Sequence, residues 1–194
     1  MKKIKVAIVG APSTGKTVLA ADVVNVLKKK GIIAMFVGEY AKNWMAKHKR
    51  APEVPADQFP ISLRQMRRET ELANSQDVLV TDSSNWLSVV YASLLIRKGT
   101  DHEDSDLIHL IDLIEDTLPS HYDLQYYVPR VFPVQSERGR WQTREEEFDL
   151  IDRKIRGIIN LFNLPVRRLP DDYKQWVDVI VSDVESLLGR KGEA

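Results

Sequence analysis

The stretch that decides the fold is IKVAIVGAPSTGKTVLA, residues 4–20. Residues 4–9 form a β-branched run, the pattern of a strand buried on both faces of a parallel sheet. From Val18 onward the apolar residues switch to helical spacing. Val18, Leu19, Val23, Val26 and Leu27 mark the apolar side, and Gly31 is the stop. Between strand and helix lies GAPSTGKT, residues 10–17, which fits G-x-x-x-x-G-K-[ST] without a mismatch. A turn that wraps a phosphate must point several backbone N–H groups inward, and Gly10 and Gly15 permit those dihedrals and the close approach. The helix adds its positive N-terminus. Lys16 sets a cation against the β- and γ-phosphates, and Thr17 offers a hydroxyl to Mg²⁺. Ala11, Pro12, Ser13, Thr14 and Val18 complete the expected nucleotide-contacting set. A chance match in a chain of this length is on the order of one in a hundred.

Outward from this turn the pattern alternates. Strands are expected at 32–37, 78–81, 124–128 and 164–169. Helices are expected at 57–75, with Phe59, Leu63, Met66, Thr70 and Ala73 on one face, and at 85–97, 104–118, 143–162 and 171–188. Thr143 and Glu146 have the spacing of a capping box. Strands alternating with helices imply right-handed crossovers and a parallel five-stranded sheet with helices on both faces, a three-layer α/β sandwich. Ligands bind such sheets beyond the carboxyl ends of the strands, so Gly10, Glu39, Asp82 and Pro129 are expected to line one crevice. No internal repeat or linker divides the chain, and residues 1–194 read as one domain.

Composition narrows the classes. The 194 residues hold 28 basic and 28 acidic side chains, so the formal charge is zero, which disfavours a strongly basic nucleic-acid binder. With 43% apolar residues a sizeable core is available. The chain has no cysteine, which excludes disulfides, thiolate catalysis and cysteine zinc sites. The four histidines are scattered without metal spacing. Apolar runs fall short of the roughly 18 residues of a membrane span. The apolar N-terminal stretch breaks at Gly10, too early for a signal peptide, so a cytoplasmic protein is expected.

The turn identifies a nucleotide but not its use. The N-K-x-D run that reads guanine in GTPases is absent. The strand DVLVTD ends in one acid followed by Ser83 and Ser84, a weak hydrolase signal. A small kinase needs an acid near the acceptor hydroxyl, a helical region over it and an arginine-bearing segment that closes. The order GAPSTGKT, GEYAK at 38–42, Gln65-x-x-x-Glu69, VLVTDSSNW at 78–86, YDLQYYV at 122–128 and then an arginine-bearing segment resembles the ribosylnicotinamide-kinase-like and bacteriophage-type P-loop kinases. The likeness extends over about 160 residues. Where that family usually has Trp and Asp-Asp-Gly before its lid arginine, this chain reads VFPVQSERGRWQ. The resemblance implies Mg²⁺-dependent phosphoryl transfer from ATP to a nucleoside- or nucleotide-like acceptor.

Glu39 and Asp82 are the acid candidates, Glu39 as base and Asp82, with Thr17, for the metal; capping of the following helix is the structural alternative for each. The lid is expected over about 129–142, with Arg130 at its start, Arg144 at its edge, and Arg138 and Arg140 mid-loop as catalytic cations beside Lys16. For the acceptor, Tyr40, Trp44 and Trp86, with Tyr91, offer flat faces for stacking. Gln65 offers a carboxamide to a base edge. Arg64, or its neighbours Arg67 and Arg68, offers a bidentate phosphate contact. Two other readings stay open. One is a kinase acting within a nucleic acid, motivated by the basic runs at 47–50 and 64–68 and weakened by zero net charge. The other is a nucleotide-binding ATPase or switch module.

Overall fold

In the computed structural model residues 3–96, 101–132 and 145–189 are described. The opening strand β1 (Ile4–Val9) runs into the phosphate turn and then α1 (Lys16–Lys29). There follow β2 (Ala34–Val37), α2 (Tyr40–His48), α3 (Gln58–Ala73), β3 (Val78–Thr81), α4 (Leu87–Leu95), α5 (Asp101–His121), β4 (Leu124–Tyr127), α6 (Glu145–Leu161), β5 (Val166–Arg168) and α7 (Trp176–Leu187). Single 3₁₀ turns at Pro55–Asp57 and Tyr173–Gln175 lead into α3 and α7.

The five strands are all parallel, in the order β2-β3-β1-β4-β5. The first strand is central and is covered on both faces. Ile4, Val6 and Ile8 face a core shared with α1 and α7, where Val23, Leu27, Ile180 and Val184 are buried. Val9 belongs to a second core with α4, α5 and α6, among Trp86, Val90, Leu110, Ile114, Ile151 and Ile155. The period of two is visible in β4, where Tyr126 enters the first core and Tyr127 the second. Chain order reverses about β1, the arrangement that opens a crevice at the carboxyl ends of the strands. Register brings the tips together: Ala7 lies opposite Thr81, and Thr81 opposite Val37. Asp82, one residue past β3, and Glu39, two past β2, therefore leave neighbouring strands within a residue of the same height.

Several elements differ from expectation. The helix Tyr40–His48 has no apolar periodicity to announce it, since Trp44 is its one buried residue. The third helix forms as expected, but with another face inward. Leu63 is 49% exposed, while Gln58, Ile61, Ser62, Gln65 and Glu69 are buried. An apolar-face rule misses this because the buried stripe is largely polar. The helix expected over 171–188 begins at Trp176, after a 3₁₀ turn in which the Asp172 side chain accepts from the Lys174 amide. Of the expected lid, Pro129 to Phe132 are described. Arg130 donates to Asp149 and Glu145 on α6, at 2.7 and 2.9 Å, and so pins the segment's start to that helix. Arg138, Arg140, Thr143 and Arg144 lie outside the described residues. Among the described residues no helix is long and apolar enough to cross a membrane.

Candidate active site

The turn after β1 takes a shape that few residues accept. Gly15 has φ +84° and Gly10 φ +157°. A Cβ on Gly10 would sit 2.8 Å from the Val128 carbonyl oxygen, so the close approach of β4 requires glycine. Ser13 is held at φ +65° between them. Thr14 donates its hydroxyl to the Ala11 carbonyl at 3.0 Å, and Lys16 donates its ammonium to the same oxygen at 2.7 Å. The first turn of α1 has no side-chain cap and no acidic residue. The helix thus carries no acid of its own at its positive dipole end, which favours an anion there.

Two acids stand beside this turn. Asp82 is 5% exposed and has both oxygens engaged. Oδ2 accepts from the Thr17 hydroxyl at 2.5 Å, and Oδ1 accepts from the Glu39 amide at 3.0 Å. One carboxylate thereby ties the phosphate turn to the tip of β2. Neither acid caps the helix that follows it. Glu39 occupies the N-cap of α2 without a side-chain capping bond, and α4 starts five residues beyond Asp82. Thr17 and Asp82 offer the hard oxygen donors that suit Mg²⁺, which takes one or two protein oxygens and completes its shell with phosphate and water. Among the described residues no group of three or more acidic, His or Cys side chains forms a metal cage.

A single cavity of about 1140 Å³ runs over both acids. One end is the phosphate turn: Gly10, Pro12, Ser13, Gly15, Lys16, Thr17 and Val18 line it, while Ala11 and Thr14 lie buried behind. Beyond Gly15 stand Phe132, Tyr173 and Trp176, with ring centroids 5.1 to 6.3 Å apart. The other end is built from α2, α3 and α4, with Tyr40, Met45, Gln58, Ile61, Gln65, Leu87, Ser88 and Tyr91 on its walls. Ser83 and Ser84 also line the cavity.

The family profile described as an AAA domain matches residues 5–175. The chain belongs to this family. No curated protein sequence matches it. Among solved structures, a NadR protein in complex with NAD and AMP-PNP aligns with a TM-score of 0.72 and 23% identity, over 99% of this chain and 51% of its own. A NadR protein in complex with NR gives 0.74 and 22%, over 99% and 52%. A deoxyadenosine kinase from M. mycoides, bound to dCMP and dCDP, gives 0.59 and 15%, over 95% and 100%. At these identities the likeness is one of fold. The chain spans about half the length of the NadR chains it matches.

Within this AAA-domain chain, three expected acceptor residues sit elsewhere. Trp44 is 3% exposed and outside the cavity wall, stacked on His48 at 4.2 Å with the Arg50 guanidinium 5.0 Å from its ring. Trp86 is 1% exposed in the second core, and its indole N–H donates to Gln125 Oε1 at 2.9 Å. Large aromatics next to strand tips fill the core more readily than they border a solvent cleft. Arg64 is exposed and does not border the cavity, because the inward stripe of α3 passes through residues 58, 62, 65 and 69.

Gln65 does line the cavity, but its carboxamide is occupied by the protein. Oε1 accepts from the Tyr40 amide at 2.7 Å, and Nε2 donates to Glu69 at 2.5 Å and to the Thr81 hydroxyl at 3.3 Å. Glu69, fully buried, also meets His121 Nε2 at 2.8 Å, and His121 Nδ1 meets Lys5 at 3.3 Å. Burial, then the Glu69 charge and hydrogen bond, push the Tyr122 hydroxyl well above its ordinary pKa, so it stays a proton donor. Burial also lowers the Lys5 ammonium, against the pull of Glu69 and Asp123. The network supports the tip of β2 and the start of α2 from below, which makes Gln65 a strut for the chain around Glu39. Ser83, Ser84 and Gln58 were not singled out from the sequence. The strand-tip rule that finds Asp82 extends to the two serines, and a search for polar residues at helical spacing finds Gln58, Ser62, Gln65 and Glu69.

Proposed function

We propose that the protein is a phosphotransferase that moves the γ-phosphoryl group of ATP, with Mg²⁺, to a hydroxyl of a nucleoside- or nucleotide-like acceptor. The observation that carries this reading is the continuity of one cavity from the phosphate turn, past Asp82 and Glu39, to a separate slot between α2, α3 and α4. A module that only binds or hydrolyses a nucleotide has no use for the second slot. The neighbours' ligands support the same reading: AMP-PNP with NAD in one NadR structure, NR in another and dCMP in the deoxyadenosine kinase.

The amides of residues 10–17 and the Lys16 ammonium hold the triphosphate. Thr17 and Asp82 are the residues that would hold Mg²⁺, which offsets charge on the phosphate oxygens when bound. Glu39 accepts the proton of the acceptor hydroxyl as its oxygen bonds to the γ-phosphorus, and ADP leaves with the bridging oxygen. Phosphoryl transfer depends mostly on positioning and charge neutralisation, so one weakly basic carboxylate suffices. The site on a polymer is disfavoured by where the basic residues point. Arg50 is bound bidentately by Asp57 at 2.7 and 2.8 Å, and Arg67 pairs with Glu71 at 2.7 Å. A screen of nucleosides, nucleotides and oligonucleotides with labelled ATP and Mg²⁺ tests the reading. Label is expected in a small-molecule product. Rapid ADP release that no acceptor accelerates would overturn it in favour of an ATPase or switch.

A further inference from the structure

Lys5 lies between Ile4 and Val6, so by the period of two it turns to the opposite face of β1 from theirs, toward the end of α5. There it meets His121 Nδ1, His121 Nε2 meets Glu69, and Glu69 receives Gln65. Two groups in this series can be read in either sense: an imidazole has two tautomers, and a carboxamide can be turned end for end. The other members leave no choice. The Lys5 ammonium and the Tyr40 N–H only donate, and the Glu69 carboxylate only accepts. His121 must therefore accept at Nδ1 and carry its proton on Nε2, while Gln65 must turn its oxygen to Tyr40 and its nitrogen to Glu69. Tyr122 adds a further donor, since its hydroxyl bonds Glu69 and accepts from the Asn85 amide at 3.1 Å.

The series starts near the amino end of β1, where the Lys5 amide donates to Asp123, and ends just past the tip of β2. Its last bond grips one residue in particular. The Glu39 amide donates to Asp82 and the Tyr40 amide to Gln65, so both backbone dihedrals of Glu39, φ −56° and ψ 125°, lie between two held N–H groups. The direction in which the Glu39 side chain leaves the backbone is thus set by the tip of β3 on one side and by the buried series on the other. Burying Lys5, His121 and Glu69 carries a desolvation cost, and a buried ion pair is weak evidence for stability. What the series supplies is orientation.

We propose that His121 and Glu69 are positioning residues for the reaction: the fixed donor–acceptor sense from Lys5 through His121 and Glu69 holds the Gln65 oxygen on the Tyr40 amide and so sets the backbone that carries Glu39. This rests on the phosphotransferase reading, in which Glu39 is the base, and adds the residues that hold it. Glu69→Gln breaks the sense of the series. If the new amide turns its nitrogen to Gln65, then Gln65 must point its own nitrogen at the Tyr40 N–H. If it turns that nitrogen to His121, the imidazole must move its proton to Nδ1, against Lys5. Adding Gln65→Glu to Glu69→Gln sets every donor opposite an acceptor again. Position 65 then accepts from Tyr40 and from position 69, whose oxygen accepts from His121.

The test follows three quantities: hydrogen exchange of the Tyr40 amide by NMR, affinity for a fluorescent ATP, and kcat/KM for the fastest acceptor among adenosine, deoxycytidine, nicotinamide riboside and their monophosphates. In Glu69→Gln, Tyr40 should lose its protection and kcat/KM should fall by about ten- to a hundredfold, with ATP affinity unchanged. In the double variant protection should return, and kcat/KM should recover to within about threefold of the wild type. Should Glu69→Gln fail to fold, the double variant decides alone, since it must both fold and transfer. Losses that persist in the double variant, or protection regained without kcat/KM, overturn the proposal and leave the phosphotransferase reading standing. If none of these compounds accelerates ADP formation by the wild type, that parent reading fails instead. Tyr40 exchange then decides on the series by itself: protection lost in Glu69→Gln and regained in the double variant sustains its hold on the Glu39 backbone, and any other pattern overturns it.

Discussion

The two ends of the cavity are built by different means. The phosphate end is made of backbone: a turn with two glycines in special conformations, an uncapped helix start and one lysine. The acceptor end is made of side chains from three helices, Gln58, Ile61, Tyr40, Leu87 and Tyr91 among them, standing on a buried polar network. A backbone site needs few particular residues and binds what every nucleoside triphosphate shares. A side-chain site depends on many contacts between distant segments and is where one acceptor is told from another. Asp82 joins the two, holding Thr17 on one side and the Glu39 amide on the other.

Substitutions should separate the ends. The largest effect is expected where they meet. Glu39→Gln should lower kcat by about 10²- to 10⁴-fold, the usual contribution of a general base, with ATP affinity retained in a fluorescent-nucleotide titration. Loss of ATP binding together with transfer would place Glu39 in the phosphate end instead. Gly10→Ala should weaken ATP binding by about 5- to 150-fold, the equivalent of about 1–3 kcal/mol of strain, and leave binding of the acceptor alone unchanged. Its Cβ would meet the Val128 carbonyl at 2.8 Å.

Glu69→Ala acts on the acceptor end alone. It leaves Gln65 and His121 without their shared partner in the interior. A broken buried pair costs about 3 kcal/mol or more, and in a chain of this size that lowers Tm by about 6–12 °C. The KM for the acceptor should rise while ATP affinity holds. Equal damage at both ends would show that the cavity responds as one unit.

The smallest effect concerns the loop before α3. Burial pushes the Asp57 carboxyl up, but the Arg50 hydrogen bond and the Glu53 and Val54 amides outweigh it, so its pKa lies below the ordinary 3.8. Because the folded value is below the unfolded one, this stabilisation is complete above about pH 4 and fades as pH falls through the folded value. Acid titration of Tm by circular dichroism should show a decline below pH 4 that Asp57→Asn makes shallower. An unchanged acid limb in that variant would show that the Asp57 contacts with Arg50 and the Glu53 amide do not hold this loop.

Legibility in the sequence divides along the same line. The phosphate turn could be read because its function requires glycine and lysine at fixed spacing along one short segment. The strand tips Glu39 and Asp82 could be located because a parallel sheet brings the residues just past its strands to one edge. The polar face of α3 was hidden, since the apolar set at Phe59, Leu63 and Met66 is equally periodic and only packing shows which face turns inward. The helix Tyr40–His48 was hidden for a related reason: it buries one tryptophan and is held by its neighbours.

Local pattern was enough to place the five strands and six of the seven helices in order, the phosphate turn, and Glu39 and Asp82 just past their strands, because each depends on residues within one segment or on the common direction of the strands. Which tryptophan is core and which glutamine is a strut were decided by tertiary structure. Those distinctions rest on contacts between residues far apart in the chain, such as Gln65 with Tyr40, Glu69 with His121 and Trp86 with Gln125. A side chain's chemistry is written in the sequence, but whether that chemistry is already satisfied depends on what the fold brings beside it.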